Sequence, residues 1–460
     1  MEKKSEQQSG ELQWWHLSLI GVGCIIGTGF FLGSSIAIKL TGPSVLISFL
    51  LAGIGTYIVY DSLGRMSAED PQKGSFRSYA KKAFGSWVGF SSGWVYWMSE
   101  MLIMGSQLTA LSIFTKFWFP DVPLWVLSSI YAVLGIIVVL LGSKGFEKIE
   151  NLLGVIKISA ILMFIIIAIL AILGIIDGQK GIKDLPNAMS ELFPHGIKGL
   201  WASLIFGFYA FGGIEIMGIM ATRLKNKADA PKAGKIMLVV LTTIYLLSLG
   251  LAVTMIPWTE FSDKKSPFVT ALHEYDNLAF VPHVFNGALI IAGFSTMSAS
   301  LFAITTMLVT MAEEKDAPAK LAKKGRFKVP TLALALTTSG LVASIITALL
   351  LPDTIYEYIT TAAGLMLLYN WLLVLISAPR LLDLTKFDHG KRLLGMALIA
   401  LGISGTLLEK SSRPGLFVSL AFLLIIAIAA TILHFVRKKT KGQTRTKHNS
   451  MLKKHRHKRK

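Results

Sequence analysis

Gly21-Val22-Gly23-Cys24-Ile25-Ile26-Gly27-Thr28-Gly29 lies in the middle of the first apolar stretch of the chain, and Gly207-Phe208-Tyr209-Ala210-Phe211-Gly212-Gly213-Ile214-Glu215 in the sixth. A segment that crosses lipid keeps its backbone hydrogen bonds internal, so a glycine cluster at mid-depth predicts a helix that unwinds there. The freed amides and carbonyls could then hold a polar solute. Glycines in membrane helices also serve close packing, and for any single one both readings stand. Where small or polar neighbours join the glycines, at Gly27-Thr28-Gly29 and Gly212-Gly213, unwinding is the stronger expectation. The two breaks sit five segments apart, at matching places in two possible repeats, as in the central site of a secondary transporter.

The rest of the chain agrees with a membrane setting. Of its 460 residues, 53% are hydrophobic and 16% charged, and mean hydropathy is positive at +0.59. That balance excludes a set of ordinary soluble domains. About 20 apolar residues span a bilayer as a helix, and twelve such stretches are expected at roughly 16–38, 43–65, 86–116, 123–142, 147–176, 197–222, 233–257, 282–312, 330–351, 355–378, 391–408 and 414–436. They group as a leader 1–15, a first five-helix unit 16–176, a second unit 197–378, a final pair 391–436 and a basic tail 437–460. The polar leader ends without a small-residue cleavage site, so the first stretch is read as a retained helix and not a signal peptide.

A net charge of +19 invites a nucleic-acid reading, which fails once the charges are located. They flank the apolar stretches. Lys and Arg concentrate on the even-numbered connections: Lys73, Arg77, Lys81 and Lys82; Arg223, Lys225, Lys227, Lys232 and Lys235; Lys320, Lys323, Lys324, Arg326 and Lys328. Under the positive-inside rule both termini are then cytoplasmic. The tail from Arg437 to Lys460 carries basic charges and no acid. It reads either as a disordered, solvated tail that fixes topology or as a clamp to anionic lipid. One cysteine, Cys24, allows no internal disulfide, and no Cys or His spacing suits a metal. No cofactor, metal or nucleic acid is expected. His16, His195, His283 and His434 fall at segment ends without a nucleophile or metal spacing, so an embedded enzyme is not indicated.

Ile26-Gly27-Thr28-Gly29-Phe30-Phe31-Leu32-Gly33-Ser34 resembles the first-helix signature of the amino acid permeases of the amino acid–polyamine–organocation superfamily. Gly93-Trp94-Val95-Tyr96-Trp97, Phe211-Gly212-Gly213-Ile214-Glu215, Lys225-Asn226 with Pro231-Lys232-Ala233, and Ala317-Pro318-Ala319-Lys320 follow in the family's order. The resemblance covers about residues 12–436. It implies an all-α integral membrane protein with an inverted five-plus-five helix repeat, the leucine transporter-like fold, and two extra helices. It places substrate between the first and sixth helices. Physics supports that picture, because a broken helix offers amides to a carboxylate and carbonyls to an ammonium. Thr28 and the amides near Gly27 and Gly29 are the candidates for the carboxylate. Carbonyls around Val22 and Gly23, with Phe208 and Phe211, are candidates for the amine. Ile26 and Gly212 complete the candidate substrate site, and the two phenylalanines could also gate it or simply pack in the core.

Ionisable residues within a span are costly and need a partner or a purpose. Lys157 interrupts an otherwise uncharged run from Asn151 to Ile176 and aligns with a fifth-helix lysine common in the permeases. The match implies an ammonium against the first helix near Gly23 and Ile26 and against the eighth near Ser298 or Thr305. Proton coupling, a static cation and snorkelling to the interface are the readings open for it. Glu215 matches an acidic position of the family and is read as a coupling residue or as an acceptor for freed amides. Glu100 stands where the family often has an aromatic, and Gln107 where it has an acid. Seven residues is two turns, so the pair share a helix face and, with Ser298, are candidate specificity residues. Arg223 and Asn226-Lys227 replace a usual acid and Asn-Pro pair, and Thr306 stands where an arginine is frequent.

The function expected is import of an amino acid across a bacterial plasma membrane by proton symport with alternating access. An amino acid or amine exchanger, and a non-transporting sensor of the same fold, are the alternatives. Protons and membrane lipids are the expected partners besides the substrate.

Overall fold

The computed structural model describes residues 12–176, 188–273, 280–323, 330–350 and 355–457. Most of the leader, part of each long odd-numbered connection, the cluster Lys324, Arg326 and Lys328, and the side chains of the basic tail lie outside the described residues. The architecture is helical throughout. Extended pairing among the described residues is confined to a bridge between Leu12 and Leu224.

The helices in chain order are α1 (Trp14–Ile25), α2 (Thr28–Phe31), α3 (Gly33–Thr41), α4 (Val45–Glu69), α5 (Ser75–Phe84), α6 (Ser86–Thr115), α7 (Leu124–Leu140), α8 (Gly142–Ile172) and α9 (Met189–Leu192). They continue as α10 (Gly196–Ala210), α11 (Ile214–Met220), α12 (Ala230–Met255), α13 (Pro267–His273), α14 (Val281–Glu313), α15 (Thr331–Leu350), α16 (Ile355–Leu381), α17 (Lys386–Gly405) and α18 (Arg413–His457). Each of the twelve apolar stretches is occupied by helix. By length and composition, however, seven helical segments of the described chain are able to cross a membrane alone, with shorter apolar helices at Trp14–Ile25, Leu124–Leu140 and Thr331–Thr347.

At two of the stretches the shortfall has a local cause. The break after Ile25 divides the first stretch into a short α1 and pieces that run on toward α4. α7 has 17 residues, a little under the usual span. α18 differs in the other direction: where the tail allowed a solvated coil, the backbone continues as helix to His457.

The outward faces are apolar. On α7, Ile130, Val133, Leu134, Ile137 and Leu140 are exposed, and on α18 Leu420, Leu424, Ile425, Ile428 and Ile432. Their spacing of three to four marks one continuous helix face, and apolar faces of this extent belong against lipid or another protein, not water. The interior is a single large cluster running from Leu17 through Phe30, Phe49, Tyr245 and Phe285 to Trp371.

Polar ties hold the ends of the helices on the side of the even-numbered connections. Buried Arg77 of α5 donates to Asp316 at 2.9 Å and meets Glu314 at 2.6 Å, while Lys81 reaches the same two carboxylates at 3.2 and 3.0 Å. These four charges fasten α5 to the end of α14. α17 opens on a capping box of Thr385 and Asp388. The Thr385 hydroxyl and amide, with Arg65 at 3.0 Å, pull the Asp388 carboxyl down to about 2.

Candidate functional site

Both glycine clusters interrupt their helices, and each does so at its second half. Gly21 and Gly23 are helical within α1, whereas Ile26 and Gly27 are extended before α2 begins at Thr28. Gly207 is likewise helical, and the chain turns at Phe211, Gly212 and Gly213 before α11. Gly213 has φ +116°, a conformation L side chains rarely adopt. Gly27 answers a different need: a Cβ there would stand 2.8 Å from Thr296 Cγ2 on α14, so the residue type sets how closely the break approaches α14.

Between the two breaks lies a cavity of about 40 Å³. Its walls are Cys24, Ile25, Gly27, Thr28 and Gly29 from the first break and Tyr209, Gly212, Gly213 and Ile216 from the second. Glu100, Ile103 and Gln107 of α6 and Thr296, Ala299 and Ser300 of α14 close it. Small-ligand pockets run to roughly 300 Å³ or more, so the cavity is contracted relative to them. Three of its polar atoms, Thr28 Oγ1, Glu100 Oε2 and Gln107 Oε1, are buried without a hydrogen-bond partner among the described residues. Buried polar groups are rarely left so, and these three face one small cavity.

Two larger cavities flank it. One of about 410 Å³ is lined by Leu12, Lys73, Ile219, Met220, Arg223, Phe302 and Thr306, among others, and shares Cys24, Ile216 and Ala299 with the central cavity. Three side chains therefore form the partition on the side of the even-numbered connections. The other, of about 280 Å³, includes Ile36, Lys116, Asp263, Tyr356 and Glu357. Tyr356 seals it from the centre by donating to the Thr28 carbonyl at 2.9 Å, and a hydrogen bond between Tyr209 and Ser106 adds a second tie on α6.

Lys157 is fully buried and donates from Nζ to the Gly23 carbonyl at 2.7 Å. The snorkelling reading does not describe it, since its head points into α1. Glu215 is buried as well. Its Oε2 accepts from the Gly213 amide at 3.0 Å and its Oε1 from the Trp371 indole, so it satisfies a backbone donor exposed by the break and ties that break to α16.

The expected site residues thus separate. Gly27, Thr28, Gly29, Gly212, Glu100 and Gln107 line the cavity; Val22, Gly23, Ile26, Phe208, Phe211 and Ser298 do not. Of the carbonyls named for an amine, three are engaged within the protein: Val22 with the Ile26 amide, Gly23 with Lys157 and Phe208 with the Phe211 amide. The phenylalanine rings point elsewhere. Phe208 packs on Trp371 and Phe211 on Tyr245.

Helix geometry accounts for the exchange of residues. Phe208 and Tyr209 are adjacent on α10 and point about 100° apart, so that Tyr209 meets the cavity, and Phe211 and Gly212 diverge likewise in the turn beyond its end. On α14, Thr296, Ala299 and Ser300 share a face that Ser298, two positions away, cannot join. The sequence signal for Tyr209 was its place inside the glycine-rich motif; for Thr296 and Ser300 it was small polar residues three to four apart.

Interrupted helices inside a bundle with apolar flanks define a multi-pass membrane protein. The family model for the amino acid permeases matches residues 16–446, and the chain belongs to that family. It is 58% identical over 431 residues to the uncharacterized transporter YcgH of Bacillus subtilis (strain 168), covering 94% of this chain and 96% of that one. It is 30% identical to the uncharacterized amino acid permease YtnA of the same strain over 85% of each chain. With the aromatic amino acid transport protein AroP of Escherichia coli (strain K12) it shares 28% identity over 95% of this chain and 98% of the relative. An amino acid transporter, and not an enzyme, is what these relationships support.

Proposed function

We propose that the protein is a secondary active transporter that imports an amino acid across the plasma membrane by proton symport, with alternating access to a site between the two helix breaks. The observation that carries this reading is the central cavity with three unpartnered polar atoms, set between two larger cavities on opposite sides. First-turn amides of a helix have no acceptor within it, so the amides of Thr28 and Gly29 on α2 are suited to a substrate carboxylate beside the Thr28 hydroxyl. The partition of Cys24, Ile216 and Ala299 is thin enough to serve as the inner gate, and Tyr356 on the Thr28 carbonyl supplies the outer one.

In this reading the bundle crosses the membrane twelve times, in two inverted five-helix units and a final pair, with both termini cytoplasmic. The weaker spans are held by their neighbours. Lys157 serves proton coupling: its hold on the Gly23 carbonyl links α8 to the broken helix. The basic tail faces anionic lipid headgroups on the cytoplasmic side.

The test is uptake into proteoliposomes of a labelled mixture of the twenty amino acids, with and without an inward proton gradient. Accumulation above the external level only with the gradient supports symport. Accumulation-free exchange that ignores the gradient would replace symport by antiport, and binding without any flux would make the protein a sensor.

A further inference from the structure

We propose that Glu100 makes this cavity a receptor for an ammonium group beyond the one every amino acid carries, so that the cargo is cationic: a basic amino acid or a small diamine. The inference rests on the transporter reading above and names the substrate class of the same site. Glu100 lies on α6, 2% exposed, and lines the central cavity with Ile103 and Gln107 on the same helix face. Its Oε2 is buried without a hydrogen-bond partner, and the Tyr96 and Ser300 hydroxyls lie within hydrogen-bonding reach of the carboxyl.

No Lys, Arg or His is among the residues that line the cavity. Lys157 is directed to the Gly23 carbonyl, and Glu215, the other buried acid at the breaks, is engaged by the Gly213 amide and Trp371. A carboxylate in such surroundings is stable as an ion only beside a positive charge. The cavity lining does not provide one, and a cationic ligand would. Gln107 Oε1, also unpartnered, adds a second acceptor two turns along the same face, which suits the several protons of an ammonium group.

A zwitterion with an apolar side chain would bring no net charge to this site. Its carboxylate, held near Gly27 to Gly29, would share a small cavity with a second carboxylate. A cationic amino acid balances both, and a diamine requires Glu100 while dispensing with the carboxylate subsite.

The test is thermal stabilisation of the purified full-length protein by lysine, ornithine and putrescine against leucine and phenylalanine, repeated on Glu100→Gln and Glu100→Asp. The cationic ligands are expected to raise the melting temperature of the native protein and the apolar ones not. Glu100→Gln should weaken lysine by about tenfold or more, the loss of a charge-assisted contact, while the unliganded protein melts no lower, because a buried charge has been removed. Glu100→Asp should retain part of the lysine effect. Leucine or phenylalanine stabilising native protein and Glu100→Gln alike, with lysine inert, would overturn the cationic assignment and leave the transporter reading standing. No response to any of the twenty amino acids or to the diamine would overturn both.

Discussion

Replacing Gly27 by alanine adds one methyl group at the tightest point between the first break and α14. Built on the backbone, that Cβ lies 2.8 Å from Thr296 Cγ2, 2.9 Å from its Oγ1 and 3.2 Å from its Cβ, where carbon atoms rest at about 3.5–4.0 Å. The extended backbone at Gly27, with φ −158°, accepts alanine without strain, so the cost is the collision alone. Overpacking of this kind costs about 1–3 kcal/mol. If substrate binding requires this close approach of the first break to α14, and a form with α14 displaced escapes the cost, affinity falls by about 5- to 150-fold. Gly27→Leu should abolish binding. Equilibrium binding to the detergent-solubilised protein measures the effect, and size-exclusion elution together with melting temperature reports whether the fold survives. The sharper assay is the pair Gly27→Ala with Thr296→Ala, which deletes the two nearest atoms and should recover much of the lost affinity. Unchanged affinity in the single variant, or a loss that the second substitution leaves untouched, would refute a substrate site at this junction.

Lys157→Met removes a charge-assisted hydrogen bond worth about 1.5–3 kcal/mol together with an ammonium whose burial costs several kcal/mol. The expected outcome is a melting temperature near that of the native protein, substrate exchange preserved, and gradient-driven accumulation lost; equal losses of exchange and accumulation would make Lys157 a structural cation. Cys24, the sequence's single cysteine, lines both the central cavity and the 410 Å³ one. A membrane-impermeant maleimide should label it from the cytoplasmic face, saturating substrate should slow the labelling, and Cys24→Ser should be blank; labelling that substrate does not affect would move the gate elsewhere. Asp388, held down at about 2 by Thr385 and Arg65, has a folded value below the roughly 3.9 of an unfolded aspartate. Its contribution is therefore present above pH 4 and lost as pH falls toward 2. The melting difference between native protein and Asp388→Asn should stay constant from pH 8 to 5, and a difference that fades within that range would contradict the capping role.

Much of the fold was legible because one property, apolar length, governs helices in lipid. The two breaks were equally legible, since glycines cluster where a backbone must leave the helix, and Gly213 at φ +116° shows why that residue type is required. Within each cluster the sequence could not separate the glycines that unwind from those that pack: Gly21 and Gly23 are helical although they head the same motif. Single-helix spanning power was overstated at α1 and α7, because a segment buried among neighbours need not be long and apolar by itself.

Site facing was the least legible. Phe208 and Tyr209 are adjacent in sequence and diverge by about 100° around the helix, which sends the first to Trp371 and the second to the cavity. Choosing between them requires the position of α16, which no local pattern contains. Three of the candidate carbonyls are occupied for a related reason. Val22, Gly23 and Phe208 lie at the breaks, yet their oxygens are engaged by Ile26, Lys157 and Phe211, partners that only the folded chain identifies. Glu100 and Gln107 were read correctly as sharing a face because their spacing is intrinsic to one helix and independent of its neighbours.

The most direct measurement is a structure of the full-length protein with the best substrate from the uptake and stabilisation experiments, in lipid nanodiscs by electron cryomicroscopy. The expected result is ligand density between the breaks, with a carboxylate, where the ligand has one, against the Thr28 and Gly29 amides and an ammonium at Glu100. Density confined to the cavity of Lys116, Asp263 and Tyr356, or to that of Lys73 and Arg223, with the central cavity still contracted, would contradict a substrate site between the two broken helices.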